Sequence, residues 1–359
     1  MLKIPAQDAP PPWFLLESLD QGGVQGVSWN HDELNRLTQI ASTVDSTVIS
    51  SHQYEYNDAN QRTRADLADG TYWEYSYDTL GQVTGGVKKD TSDNPIPGYG
   101  FGYTYDDIGN RKTSVENGRT TDYTRNLLNQ YEGITRPAFA HLRGERGNTS
   151  TTIDVELLGG GLGPQEATYS NLLWYKEKAI TDPVSTFEIT ATEGGNSNSE
   201  TGSVYTPNGG IPPMGSDPQD PLPMHDEDGN LLYDHLWKYT WNAENRLVVQ
   251  EHRDDVDISP LVRTKMEFTY DSQGRRVRKI VSRWDAQAEA YVVEQELRFI
   301  YDGWNLLAEI KTDDSLLRSH VWGLDLSGSL QGAGGVGGLL ASRYHGTTPI
   351  HALPFYVGN

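Results

Sequence analysis

The chain has 359 residues, only 36% of them hydrophobic, with 20 Tyr, 9 Trp, 37 Gly, 18 Pro and no Cys. A formal charge of -21 repels phosphate backbones and disfavours a nucleic-acid partner, while the absence of cysteine excludes disulfides, thiolate metal sites and cysteine nucleophiles. So much Gly and Pro interrupts helices, and an aromatic core whose hydroxyls and indole N–H groups need partners suits sheets, so the composition predicts an all-β protein.

In chain order, residues 1–28 form a leader and partial-strand region. Three consecutive prolines stand at Pro10 to Pro12, and no apolar segment precedes a small-residue cleavage site. Nowhere do about eighteen apolar residues run uninterrupted, as a bilayer-spanning helix needs.

Residues 29–131 carry a short repeat: an aromatic or His, then Asp or Asn, two free positions, Gly or Asn, and usually Arg, Gln or Asn. The paired turn residues are Asp32 and Asn35, Asn57 and Asn60, Asp78 and Gly81, Asp106 and Gly109, and Asn126 and Asn129. Only the copy starting at Arg125 lacks the aromatic or His. Asp or Asn starts a turn by bonding the backbone two residues on, and Gly or Asn tolerates the left-handed conformation that reverses the chain. The approach to each turn alternates with period two, as in Trp73, Tyr75, Tyr77 and in Phe101, Tyr103, Tyr105, with Glu74 and Ser76 on the other face. One face is therefore expected to be buried and the other wet.

Residues 132–223 break the pattern. Thr152 to Leu157, Ala167 to Lys176 and Ser185 to Thr192 read as strands of an inserted small β-sandwich-like module, and Gly194 to Pro223 as loop and Pro/Gly-rich linker. The repeat resumes over residues 224–319, with Asp226 and Gly229, Asn242 and Asn245, Asp271 and Gly274, and Asp302 and Asn305. Aromatic stripes again lead in: Trp237, Tyr239, Trp241, then Met266, Phe268, Tyr270, then Leu297, Phe299, Tyr301. Consecutive hairpins should pair side by side, giving one long, twisted antiparallel hairpin array that curls, because a lone hairpin is barely stable.

The units Tyr77-Asp-Thr-Leu-Gly-Gln, Tyr105-Asp-Asp-Ile-Gly-Asn and Tyr270-Asp-Ser-Gln-Gly-Arg resemble the YD repeats of bacterial RHS proteins and of the teneurin-like YD-shell. The stretch Val321-Trp-Gly-Leu-Asp-Leu-Ser-Gly-Ser resembles the lead into the RHS-associated core, so 320–359 reads as the truncated start of that core. The resemblance covers roughly 29–131 and 223–359. It implies a hollow shell around a C-terminal toxic or reactive segment, in a secreted or cell-surface bacterial protein. The family's Asp-Pro-containing self-cleavage segment is absent from this sequence, so no autoproteolytic residue carries over. Nine repeats are too few for the family's usual cage, and the expectation is a fragment lacking core and toxin, or one wall of a larger assembly.

Other motifs offer less. Gly332-x-Gly334-x-x-Gly337 matches a dinucleotide fingerprint in letters, but no helix-length segment or acidic residue follows. Asp226, Glu227, Asp228, Gly229 and Asn230 fit a turn; their oxygens also suit a weak, exposed calcium ion, without the closing Glu of an EF-hand. The nine His include no HExxH, and no nucleophile elbow occurs. Arg275, Arg276, Arg278, Lys279 and Arg283 crowd together, as alternating positions of a solvated strand explain.

The expectation is thus a non-enzyme with no catalytic residue, cofactor or metal: a shell segment that helps encapsulate or present a C-terminal effector. Its partners would be the rest of its own shell and that cargo, with no nucleic acid and no membrane span. The alternative is a cell-surface adhesin or carbohydrate-binding scaffold whose insert binds glycans, with Tyr169, Trp174 and Tyr175 as the first residues to test, although a sandwich core explains these better.

Overall fold

The computed structural model describes residues 18–21, 25–206, 224–259, 261–323 and 339–346. Pro10 to Pro12, the proline cluster at 212–223, the glycine fingerprint at 332–337 and most of the segment likened to the RHS core lie outside the described residues. None of the described residues is helical; they form antiparallel sheets, none closed into a barrel.

The chain divides into two units, residues 1–211 and 212–359. In the first, eleven strands run β1 (Ser18–Gln21), β2 (Gln25–His31), β3 (Leu37–Val44), β4 (Thr47–Tyr56), β5 (Arg62–Leu67) and β6 (Tyr72–Tyr77). They continue with β7 (Val83–Lys89), β8 (Pro95–Tyr105), β9 (Arg111–Glu116), β10 (Arg119–Arg125) and β11 (Tyr131–Thr135). Each pairs with its sequence neighbours, so spatial order is chain order. This is the cheapest topology for a hairpin repeat, since every closure is short.

Next come β12 (Phe139–Glu145), β13 (Thr152–Leu157), β14 (Gln165–Glu166), β15 (Thr168–Ser170), β16 (Leu173–Ala179), β17 (Val184–Glu193) and β18 (Asn196–Tyr205). They make a sheet ordered β12-β16-β15 and a sheet ordered β14-β13-β17-β18. Between them lies the buried cluster Ala140, Ile153, Val155, Ala167, Trp174, Ile180 and Phe187, which makes the module a small sandwich. The stretch from Gly194 was expected as loop and linker, yet Asn196–Tyr205 is a ten-residue strand. Its polar composition hid it: it is an exposed edge strand held by the backbone ladder and by Thr–Ser pairs across to β17, Thr190 to Ser199 at 2.7 Å among them.

The second unit is one eight-stranded sheet, again in chain order: β19 (Trp237–Trp241), β20 (Leu247–His252), β21 (Thr264–Tyr270), β22 (Arg276–Asp285), β23 (Ala290–Asp302), β24 (Asn305–Lys311), β25 (Leu316–Trp322) and β26 (Leu339–Tyr344). The array is therefore split between two sheets instead of forming one. The reason is that β12–β18 pair among themselves and close their own core between the two runs of repeats.

The expected burial of the aromatic stripes holds only by half. Trp73, Tyr75, Tyr77, Phe101, Tyr103, Tyr105, Trp237, Tyr239, Trp241, Phe268, Tyr270, Phe299 and Tyr301 are all half-buried. The rings cover one another sideways: Trp73 lies 6.4 Å from Tyr75, 6.2 Å from Tyr99 and 6.0 Å from Phe101. In the first unit the repeat sheet meets a second layer where β8 packs against the sandwich strands β12, β15 and β16.

Candidate functional site

The feature that recurs through both repeat sheets is the turn, and the fourth copy shows its construction. The Asp106 amide donates to the Asn110 carbonyl (2.9 Å), and the Gly109 amide donates to the Asp106 carbonyl (3.1 Å). The Asp106 side chain then accepts from the amides of Ile108 (3.0 Å) and Asn110 (2.9 Å). This three-residue loop needs a left-handed residue before the strand resumes. Asn35, Asn60, Gly81, Gly109, Asn129, Gly229, Asn245 and Gly274 all have φ between 57° and 91°. Asp32, Asn57, Asp78, Asn126, Asn242 and Asp271 accept the same two amides as Asp106, and Asp226 accepts that of Asn230.

The ninth copy departs from this. Asp302 and Asn305 face each other as paired strand ends around the two-residue loop Gly303-Trp304, with the positive φ on Gly303 and Asn305 buried. Asn305 is therefore the first residue of β24, not the left-handed residue of a three-residue turn. Conversely, Asp90 to Asn94 forms the same capped loop at the other end of β7 and β8, with Asp93 left-handed at φ 66°. Lacking the aromatic and carrying Asp in the Gly/Asn slot, it escapes the pattern search; Asp-x-x-Asp-Asn was its one signal.

The last motif position completes the cap. Arg36 Nε donates to Asp32 (2.6 Å), Asn110 Nδ2 to Asp106 (3.0 Å), Asn230 Nδ2 to Asp226 (2.9 Å) and Arg275 Nε to Asp271 (2.7 Å). Where the first residue is Asn57 or Asn126, the direction reverses and its Nδ2 donates to the side-chain Oε1 of Gln61 or Gln130. These bonds hold the aspartates below the usual carboxylate range. For Asp32 the Arg36 amide contributes most, and for Asp226 the Asn230 side chain. For Asp106 and Asp271 the largest influence, desolvation, acts upward and is outweighed by the bonds from Asn110 and Arg275.

Each unit is also stitched to the one before, a link the sequence pattern did not disclose. Tyr56 Oη donates to the Leu37 carbonyl (2.6 Å), Tyr77 to Arg62 (2.6 Å), Tyr105 to Val83 (2.9 Å), Tyr270 to Leu247 (2.8 Å) and Tyr301 to Arg276 (3.0 Å). Trp241 Nε1 does the same to Leu231 (2.7 Å), and Trp322 Nε1 to Leu306 (2.7 Å). For the five Tyr the acceptor is thus the first strand residue after the preceding turn, while Trp322, which reaches the second residue of β24, fills one further aromatic slot. Arg125, in the copy without an aromatic, pairs with Asp106 of the preceding turn instead. Guanidinium groups of Arg36, Arg246 and Arg275 lie 4.9, 6.0 and 5.4 Å from the ring centres of Tyr56, Tyr270 and Tyr301 in the following unit.

The sandwich is joined to the first repeat sheet by charge. Arg119 binds Glu177 through two bonds (2.6 and 3.0 Å), and Arg143 reaches Glu116 (2.8 Å) and the Gly98 carbonyl (2.5 Å). Gly98, at φ 88°, lets the Tyr175 ring lie against the backbone where a Cβ would collide. Burial pushes the Tyr175 hydroxyl up to about 12, and it shares a 2.6 Å hydrogen bond with His141. Of the proposed glycan-binding trio, Trp174 is in the sandwich core, Tyr169 bonds the backbone of Ile153 and Tyr175 is held in this joint.

A second buried polar cluster lies beside β19 and β20. Arg253, 1% exposed, bonds both carboxylate oxygens of Asp255 (2.9 and 2.6 Å) and the Asp234 carbonyl (2.8 Å). Next to it His252 stacks on Trp237 at 3.9 Å and accepts the Thr264 amide on Nδ1 (2.7 Å). Burial, and then the nearby Arg263 charge, lower the His252 pKa to about 4. Among the described residues no group of three or more His, Asp or Glu is arranged to hold a metal ion. Asp226 is engaged by Asn230 as a turn residue.

No family model matches the chain, and no curated protein matches it. Among solved structures it is similar to the crystal structure of TcdB2-TccC3-TEV, at 14% identity and a TM-score of 0.36 over 86% of this chain. The chain spans 15% of that one. It is also similar to a porin-like protein from Bacteroides uniformis, at 11% identity and a TM-score of 0.23, over 78% of this chain and 91% of that one. Neither likeness is close enough to bear on function.

Proposed function

We propose that this chain is a non-catalytic wall segment of an RHS/YD-type shell, secreted or displayed at the cell surface, which helps encapsulate or present a polypeptide. The observation that supports this reading is a repeat sheet whose aromatic stripe is only half covered, although hydrogen bonds close eight of the nine motif turns and link most units to the one before. A sheet built so regularly, with its rings open on one side, is suited to enclosing further chain rather than to forming a closed core of its own. The -21 charge favours a basic cargo. The adhesin reading loses its first residues, since Tyr169, Trp174 and Tyr175 are engaged within the insert or at its joint.

The test is the intact mass of the protein from its producing cells, together with a blot against the Tyr270–Trp322 region. A product well above 40.0 kDa, or one cut into shell and tail that copurify, is expected. A stable product of 40.0 kDa with nothing bound would overturn the shell reading.

A further inference from the structure

The cationic cluster of Arg275 and strand β22 resolves into two kinds of side chain. Arg275 is tied to Asp271, Arg278 to Glu296 (2.6 Å) and Arg283 to Glu294 (2.7 Å). Arg276 and Lys279 have no ion pair or hydrogen bond from their side chains among the described residues. Arg276 is exposed, its guanidinium 4.7 Å from the centre of the Phe268 ring. It borders a cleft of about 390 Å³ that Tyr270, Phe299, Tyr301, Trp304 and Leu306 also line.

The walls of this cleft are set in advance. Tyr270 and Tyr301 spend their hydroxyls on the carbonyls of Leu247 and Arg276, which leaves ring faces rather than hydroxyls to a ligand. Trp304 sits on the one two-residue turn of the motif series, which the Arg275 guanidinium holds through the Gly303 carbonyl. Half of Trp304 is exposed, at the fourth position of its motif, where the other copies carry Leu34, Ala59, Leu80, Ile108, Leu128, Asp228, Glu244 and Gln273. An exposed indole and a guanidinium that no carboxylate of the described residues engages line one cleft, and together they offer a ligand an apolar face and a cation.

We propose that this cleft binds a carboxylate-bearing pyranose, a uronic-acid residue of an acidic glycan. The C–H face of the sugar lies on Trp304 and its carboxylate on Arg276. Acidic peptides offer the carboxylate without a sugar C–H face, and in a nucleic acid the charge lies on the backbone phosphate, away from the flat base, whereas a uronic acid carries its carboxylate on the stacking ring itself. This site is independent of the shell role.

Saturation-transfer NMR of the full chain with tetragalacturonate tests it, with maltotetraose as the neutral control and tetraglutamate as the charge control. Saturable transfer to tetragalacturonate is expected, with affinity at least about tenfold above either control, the worth of one charge-assisted contact. Arg276→Gln should abolish that preference, and Trp304→Ala should abolish binding while Trp304→Tyr keeps part of it. Circular dichroism checks that each variant retains the sheet signal of the parent. No transfer to tetragalacturonate, equal transfer to tetraglutamate, or unaltered binding in folded Trp304→Ala would each overturn the proposal.

Discussion

At the level of single residues, the repeat motif is a set of hydrogen-bond assignments, and each can be deleted separately. Tyr77→Phe removes the bond to the Arg62 carbonyl and should cost about 0.5–1.5 kcal/mol in urea unfolding, whereas Tyr103→Phe, whose hydroxyl has no hydrogen bond among the described residues, should cost close to nothing. Gly109 stands at φ 91° with Gln82 Nε2 where a Cβ would meet it, so Gly109→Ala should cost about 1–2 kcal/mol, against a few tenths for Asn129→Gly in the equivalent slot. His252 gives the pH dependence. Its pKa falls from 6.5 to about 4 on folding, so protonation favours the unfolded chain. The neutral ring's contribution is fully present above pH 6.5 and is lost as the pH drops from there towards about 4, by about 2–3 kcal/mol. The lowered aspartates add a further loss below their usual range, in the same direction. Thermal melts between pH 7 and 4.5 should show the decline, and His252→Gln should flatten it.

Among the elements, the sandwich and the repeat sheets are held together by different means. The sandwich owns a closed apolar core in which Val155 and Phe187 are essentially inaccessible. Phe187→Ala should therefore cost about 3–5 kcal/mol, while Leu80→Ala, at a turn tip where the side chain is 70% exposed, should stay within about 0.5 kcal/mol. The repeat strands draw instead on ladder bonds, sideways ring contacts and the Tyr-to-carbonyl links, each modest and each tied to a neighbour. Strands β13 and β17 were legible in the sequence because alternation of buried and half-buried residues survives there, as Ile153 and Val155 show. Strand β18 was not, because both of its faces meet water and a polar edge strand leaves no periodic signal. The expected single run from Ala167 to Lys176 is a hairpin of β15 and β16 that turns at Asn171, left-handed at φ 52°.

For the whole molecule, stability in the repeat sheets is a sum over neighbouring units rather than the property of one core. Unfolding should therefore depart from a single two-state transition, with the amides of the sandwich exchanging more slowly than those of β1 to β4. Hydrogen exchange read by mass spectrometry checks this: uniform protection across β1 to β18 would show that the first unit unfolds as one cooperative body.

The sequence by itself determined the all-β class, the positions of the motif turns and the conformation at eight of the nine Gly/Asn slots, because the turns depend on interactions within five consecutive residues, where Asp or Asn caps a loop that Gly or Asn completes. The contacts between units lay beyond it. Which carbonyl each Tyr hydroxyl meets, 15 to 25 positions away, and which of Arg278, Lys279 and Arg283 finds a carboxylate on the next strand depend on strand register, and the shortened turn that exposes Trp304 follows from the pairing of Asp302 with Asn305. Tertiary structure also decided that the aromatic stripes are only half covered, since burial of a sheet face depends on what lies over it, and alternation along a strand records only which side chains share that face.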